Sequence, residues 1–150
     1  MNLLTKVRKA TENDLEGILG LVQDLAIYEK APQAVTASLE TYRTNFKEGI
    51  FDAIVAENVD GQIIGMVLFY MAWSTWKGKM LYLEDFVVKE NVRGQGVGKV
   101  LFDELILEAK RLNCVMMKWQ VLDWNIPAIQ FYEKYDTVFD KEWWNVKIYF

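Results

Sequence analysis

Two hydrophobic periods alternate along the chain. Residues 3–8 form a short run that fits a strand. Thr11 follows as a helix N-cap with Asp14 three residues on, a weaker form of the capping box, which prefers Glu or Gln there. Leu15, Ile18, Leu19, Val22, Leu25 and Ala26 then recur at helical spacing and make one apolar stripe. Pro32 ends that region, and a second helix is expected over residues 38–47 after a Thr36 or Ser38 cap. From Phe51 the pattern changes. Residues 51–57, 62–73 and 80–88 are rich in β-branched and aromatic side chains. The first two runs meet at Asp60-Gly61, a strong hairpin signal, and Lys77-Gly78-Lys79 supplies the next turn. The helical period returns with Leu101, Leu105, Ala109 and Leu112. Residues 115–122 fit a strand, and 125–135 a short helix with Pro127 in its first turn. Val138-Phe139 and residues 143–150 fit a closing hairpin. The order β-α-α-β-β-β-α-β-α-β-β predicts a single domain over residues 1–150, of α/β (α+β) class with a mixed sheet.

Composition narrows the chemistry. With 150 residues, 52% apolar and 14% aromatic, the chain is long enough for a real core and too apolar for disorder. Its net charge of −4 disfavours a nucleic-acid partner, which needs clustered Lys and Arg, and suits a cationic ligand. The one cysteine, Cys114, excludes an internal disulfide and fits a reducing cytoplasm. The N-terminus has no apolar signal core, and the densest apolar run, 63–73, is too short to span a bilayer, so neither secretion nor a membrane partner is expected. Histidine is absent. That removes the commonest general base and zinc ligand, so no metal is expected and catalysis falls to carboxylates, Tyr, Lys, Cys or backbone groups.

Between the strand at 80–88 and the next helix lies NVRGQGVGK, residues 91–99, with glycines at every second position. The dinucleotide fingerprint G-x-G-x-x-G fits Gly94 and Gly96 but finds Lys99 in third place. The nucleotide-hydrolase loop G-x-x-x-x-G-K-[ST] finds Arg93 for its first glycine and Val100 for the hydroxyl that holds magnesium. What remains is R-x-x-G-x-G: Arg93, Gly96 and Gly98. Unpaired amides at a helix N-terminus attract anions, glycine lets the backbone approach closely, and Arg93 and Lys99 add positive charge. The expected ligand is a diphosphate; a tight turn with no ligand has the same composition.

This loop resembles the acetyl-CoA loop of the GNAT superfamily of N-acetyltransferases. Three other stretches are similar to its diamine (spermidine/spermine) acetyltransferase branch: LYLEDFVV at 81–88, W-N-x-P-A-x-x-F-Y from Trp124 to Tyr132, and L-A-x-Y-E from Leu25 to Glu29. The resemblance spans nearly the whole chain. It implies a mostly antiparallel sheet with a splayed central strand pair and helices on both faces. It implies acetyl-CoA as donor, held by Arg93, Gly94, Gln95, Gly96, Val97, Gly98 and Lys99 and flanked by Asn125 and Ala128. Strand 81–88 would splay from strand 115–122, and the backbone of Phe86, Val87 and Val88 would meet the pantetheine arm and polarise the carbonyl. The partners implied are a small-molecule amine and a second copy of the chain, as a homodimer.

N-acetyl transfer requires an amine stripped of its proton, a polarised thioester and a proton for the leaving thiolate. Glu84 is the candidate base or cation anchor. It lies in an apolar strand that should desolvate it, on the face of Tyr82 and Phe86 if the strand is regular, with Asp85 opposite. Tyr132 is the candidate acid, since a phenol with a pKa near 10 is protonated at neutral pH. By resemblance, Tyr28 and Glu29 line the amine pocket, and Glu29, Glu84 and Glu142 form an acidic slot. Trp119 lies on the strand expected near the substrate, with Trp76 and Trp143 as further cation–π candidates. The family places a glycine after the Tyr132 helix; here Asp136 stands in that stretch, which predicts a different turn. Three readings follow: an acetyl-CoA-dependent acetyltransferase of a small primary amine, a polyamine or aminoalkyl amino acid; an acetyltransferase of protein N-termini or lysines; or a non-catalytic acetyl-CoA-binding regulator.

Overall fold

The computed structural model describes residues 4–150, with side chains from Lys6 onward; Leu3, the first residue of the expected opening strand, lies outside them. The described chain forms two compact units, the first running through Trp119 and the second from Gln120 to Phe150. The first holds β1 (Leu4–Lys9), α1 (Leu15–Tyr28), α2 (Leu39–Lys47), β2 (Asp52–Asn58), β3 (Ile63–Ser74), β4 (Gly78–Val88), α3 (Val97–Arg111) and β5 (Met116–Lys118). The second holds α4 (Ile126–Glu133). No helix among the described residues is long and apolar enough to cross a membrane.

The sheet order is β1-β2-β3-β4-β5. The first four strands pair antiparallel, and β5 joins β4 parallel. Hairpins explain the antiparallel part: Asn58 Oδ1 accepts from the Asp60 and Gln62 amides and shapes the β2–β3 turn. Side chains alternate between two faces. On one, Ala53, Val55, Met66, Leu68 and Val87 pack with Leu15, Ile18 and Leu21 of α1. On the other, Phe86 stacks on Phe102 of α3 with ring centroids 5.7 Å apart. Each fully buried Leu or Ile in these layers contributes roughly 1.5–3 kcal/mol.

Charge fixes the entry to α1. Asp14 accepts the Thr11 amide at 2.7 Å, so aspartate does the work of the capping-box glutamate. The same carboxylate takes two hydrogen bonds from Arg8, at 2.7 and 3.0 Å, and Arg8 also reaches Glu57 at 2.8 Å. The Arg8 guanidinium holds the Asp14 carboxyl below the usual carboxylate range. This network ties the start of α1 to β1 and β2, and so sets where its far end, at Tyr28 and Glu29, arrives. Ser38 caps α2 by accepting the Thr41 amide at 3.1 Å.

Gly65 lets α3 approach the sheet. A Cβ there would lie 3.0 Å from Leu101 Cδ1 and 3.1 Å from the Val87 carbonyl oxygen. A β3 backbone locked to β4 cannot yield easily. Gly65→Val is expected to destabilise the fold by about 2–3 kcal/mol with an unchanged m-value in urea unfolding. A loss below about 0.5 kcal/mol would mean that helix and sheet are not in this close contact.

Two expectations are corrected. The strand expected over 115–122 pairs only at Met116–Lys118. The closing hairpin does not form: Val138, Phe139 and residues 143–150 carry no strand. Their β-rich composition supplies propensity, but propensity yields a strand only when a partner edge meets it.

Candidate active site

After β4 the chain makes one tight turn, Glu90–Val92, and enters the glycine loop. Gly94 and Gly96 have φ of +75° and +85°, a region that β-carbons disfavour, and Gly96 caps α3. A Cβ built on either would meet nothing within 4 Å, so both face open space. The first helical bond runs from the Val100 amide to the Gly96 carbonyl at 3.1 Å. Helix geometry therefore leaves the amides of Val97, Gly98 and Lys99 without intrahelical acceptors. A turn open at both glycines, leading into helix amides without helical acceptors, has the general features of an anion site. Gly98 serves a different purpose. Its missing Cβ would lie 3.4 Å from the Phe86 ring, and leaving that space free lets α3 seat on β4. Val97 is buried and anchors the turn. Gln95 lies at the limit of hydrogen bonding, 3.5 Å from the Asn91 carbonyl.

The two cations of the loop have protein partners. Lys99 pairs with Asp103 one turn on. Arg93 donates Nε to the Val88 carbonyl at 3.0 Å, and its guanidinium lies 5.4 Å from the centroid of the Tyr28 ring. Arg93 thus joins the loop, the end of β4 and the end of α1.

The sheet opens next to this loop. β5 pairs with β4 only at Met80–Met116, Leu81–Met117 and Tyr82–Lys118. Beyond Tyr82, β4 runs on to Val88 with β3 as its ladder partner. The β4–β5 ladder thus ends at Tyr82–Lys118, and Phe86, Val87 and Val88 lie beyond its last pair.

Glu84 departs from the regular strand. Phe69 pairs with Leu83 and Leu68 with Asp85, so Glu84 is an extra residue in a β-bulge. Strict alternation therefore fails. Tyr82 faces α1 with Tyr70, whereas Phe86 faces α3, so Glu84 does not share one face with both. Asp85 is carried to the face of Leu68, the α1 side, and both carboxylates act on Tyr42 of α2. Tyr70 donates its hydroxyl to Glu84 Oε2 at 3.3 Å, and its ring stacks on Tyr82 at 5.2 Å. Burial, then Glu84, push the Tyr70 phenol up to about 12, so it is a donor at any working pH.

Burial, then Glu84, then Glu29 push the Asp85 carboxyl up to about 6. Burial also raises Glu29 at the end of α1. Asp85 accepts no side-chain hydrogen bond and faces no cation among the described residues. Three carboxylates, Glu29, Glu84 and Asp85, therefore converge, and among the described residues none of them has an ion-pair partner. The sequence reading of a regular strand puts Asp85 on the far face; the bulge brings it back. The signal that could have found it is the adjacent pair of acids in an apolar strand. Trp119 does not join this group. Its ring packs edge-on against Phe102 at 5.5 Å, on the α3 side of the sheet.

In the second unit, Asn125 caps α4 by accepting the Ala128 amide at 3.4 Å. Tyr132 is 6% exposed, and its ring meets Phe131 edge-on at 5.7 Å. The α4 end needs no left-handed residue at Asp136: the Thr137 hydroxyl donates to the Tyr132 carbonyl at 3.0 Å, and the only non-glycine residues with positive φ among those described are Lys30 and Asn113. Glu142 is exposed in a stretch without regular structure.

Known proteins match this architecture. The model of the acetyltransferase (GNAT) family matches residues 22–136. The thialysine N-epsilon-acetyltransferase of Bos taurus is 38% identical over 136 residues, which cover 85% of this chain and 80% of that protein. The spermidine/spermine N(1)-acetyltransferase-like protein 1 of Homo sapiens is 30% identical over 135 residues, 85% of this chain but 19% of that longer one. An aminoglycoside acetyltransferase structure from an uncultured soil metagenomic sample superposes with a TM-score of 0.79 at 20% identity, over 99% of this chain and 96% of that one, which is a likeness of fold. GNAT enzymes generally take their acetyl group from acetyl-CoA. The chain belongs to the acetyltransferase (GNAT) family and is an N-acetyltransferase.

Proposed function

We propose that the protein moves the acetyl group of acetyl-CoA directly to a primary amine of a small cationic molecule, an aminoalkyl amino acid or a polyamine. The observation that carries this reading is the convergence of Glu29, Glu84 and Asp85 without an ion-pair partner. Clustered carboxylates with no counter-ion favour an ammonium ligand. The relatives named for thialysine and spermidine/spermine acetylation support the same class.

Acetyl-CoA supplies the acetyl group as a reactive thioester. In this reading the amides of Val97, Gly98 and Lys99, with Gly94, Gln95 and Gly96 shaping the turn, hold the diphosphate. Arg93 adds charge beside it. The backbone of Phe86, Val87 and Val88 lines the splay and orients the acyl arm, while Asn125 and Ala128 flank the cofactor. Glu84, fixed by Tyr70, anchors the substrate ammonium with Glu29, and Tyr28 lines the pocket. Glu142 and Trp119 remain candidates for the far end of the substrate, Trp119 less so for its contact with Phe102. Tyr132 gives its proton to the leaving thiolate. The single cysteine and the resemblance to a branch of dimeric enzymes extend the proposal to a cytoplasmic homodimer.

A turnover screen with acetyl-CoA against polyamines, lysine analogues, neutral amino acids and short peptides tests it. Thialysine or spermidine should exceed the neutral amino acids and peptides at least tenfold in kcat/KM. Preference for a peptide would overturn the small-amine reading.

A further inference from the structure

We propose that Asp85, not Glu84, takes the proton from the substrate ammonium. The inference rests on the N-acetyl transfer of the family and not on which amine is used.

Geometry separates the two carboxylates. Glu84 occupies the bulge and is tethered to the Tyr70 hydroxyl at 3.3 Å. That tether fixes the position of the Glu84 carboxylate, which suits it to holding a charge in place. Asp85 sits one residue on, paired across from Leu68, half-buried and with no side-chain hydrogen bond or ion pair of its own. The groups that face it are Glu84 on its own strand, Glu29 at the end of α1 and Tyr42 on α2. All are anionic or neutral. Such a carboxylate gains by receiving a proton, and a group that titrates at about 6 is ionised yet still basic at neutral pH. Asp85 also lies beyond the last β4–β5 pair, beside Phe86, in the part of β4 whose ladder partner is β3 alone.

The step balances. An N–H bond of the ammonium breaks, its electron pair stays on nitrogen, and an O–H bond forms on Asp85. The freed amine attacks the thioester carbon, the C–N bond forms and the C–S bond breaks. The nitrogen loses a second proton as the amide forms. The thiolate takes up one proton, so one proton is released to solvent per turnover.

The test is the pH dependence of kcat/KM for whichever amine of the screen is turned over fastest, so an error in substrate class leaves it intact. The wild type should be flat above neutrality, up to the pKa of the amine, and fall tenfold per unit below about pH 6. Asp85→Asn should lose about 10²–10⁴-fold at pH 7 and show no break near pH 6 and no plateau above it. Its residual rate should instead climb tenfold per pH unit with the fraction of free amine. Glu84→Gln should raise KM and keep the break, displaced to lower pH, because one of the charges that raises Asp85 is gone. Asp85→Glu, a milder change should the amide variant not fold, should retain the break at reduced rate. A break near pH 6 followed by a plateau that survives in Asp85→Asn, or a break that disappears in Glu84→Gln, overturns the assignment, as does a wild type with no such break.

Discussion

Replacing Tyr132 with phenylalanine is expected to lower acetyl transfer by about 10²-fold or more while acetyl-CoA affinity changes by less than about twofold. The ring of Tyr132 is buried and packs edge-on against Phe131, and phenylalanine keeps that packing. The α4 helix does not depend on the hydroxyl for its ends, since Asn125 caps one and Thr137 the other. What the substitution removes is one O–H donor. If that donor protonates the departing thiolate, the loss must shrink when the leaving thiol is more acidic. A thiophenyl acetyl thioester should therefore be affected less than acetyl-CoA. Single-turnover rates with both donors, alongside calorimetric titration with acetyl-CoA, check this. Unchanged turnover removes Tyr132 from the chemistry, and an equal loss with both donors assigns it to positioning.

The outcome for Glu84 and Asp85 shows where a sequence stops informing. Leu15, Ile18 and Val22 disclose a helix because the period of α1 is written in its own residues. Asp60-Gly61 discloses a hairpin because the turn needs only local backbone geometry. The bulge at Glu84 is not local. It arises from how Leu68 and Phe69 meet β4 across the sheet. No count along β4 alone reveals that alternation breaks there, so a regular strand puts Asp85 on the wrong side. Trp119 is a similar case: its place near a strand is legible, but its ring answers to Phe102, seventeen positions earlier on α3. The residues at 143–150 have strand propensity and no ladder, so composition alone overstates them. The glycine loop is legible as a unit, yet its three glycines serve two ends. Gly94 and Gly96 supply left-handed backbone, and Gly98 supplies clearance for Phe86.

That division gives a controlled experiment on the cofactor loop. Gly96 and Gly61 are matched: φ is +85° at one and +78° at the other, and a Cβ on either meets nothing within 4 Å. Valine at each should cost about the same in backbone strain, on the order of 1–3 kcal/mol, read from urea unfolding. Their surroundings differ. Gly61 turns a hairpin between β2 and β3, while Gly96 opens onto the first amides of α3. If those amides grip a diphosphate, the γ-methyls of Gly96→Val enter the space that it needs. Acetyl-CoA affinity should then fall about 30-fold or more, equivalent to about 2 kcal/mol. Gly61→Val, equally strained, should bind acetyl-CoA as the wild type does. Titration of the two folded variants separates strain from obstruction. Wild-type affinity in Gly96→Val means that the diphosphate lies elsewhere, and a parallel loss in Gly61→Val means that affinity was tracking stability.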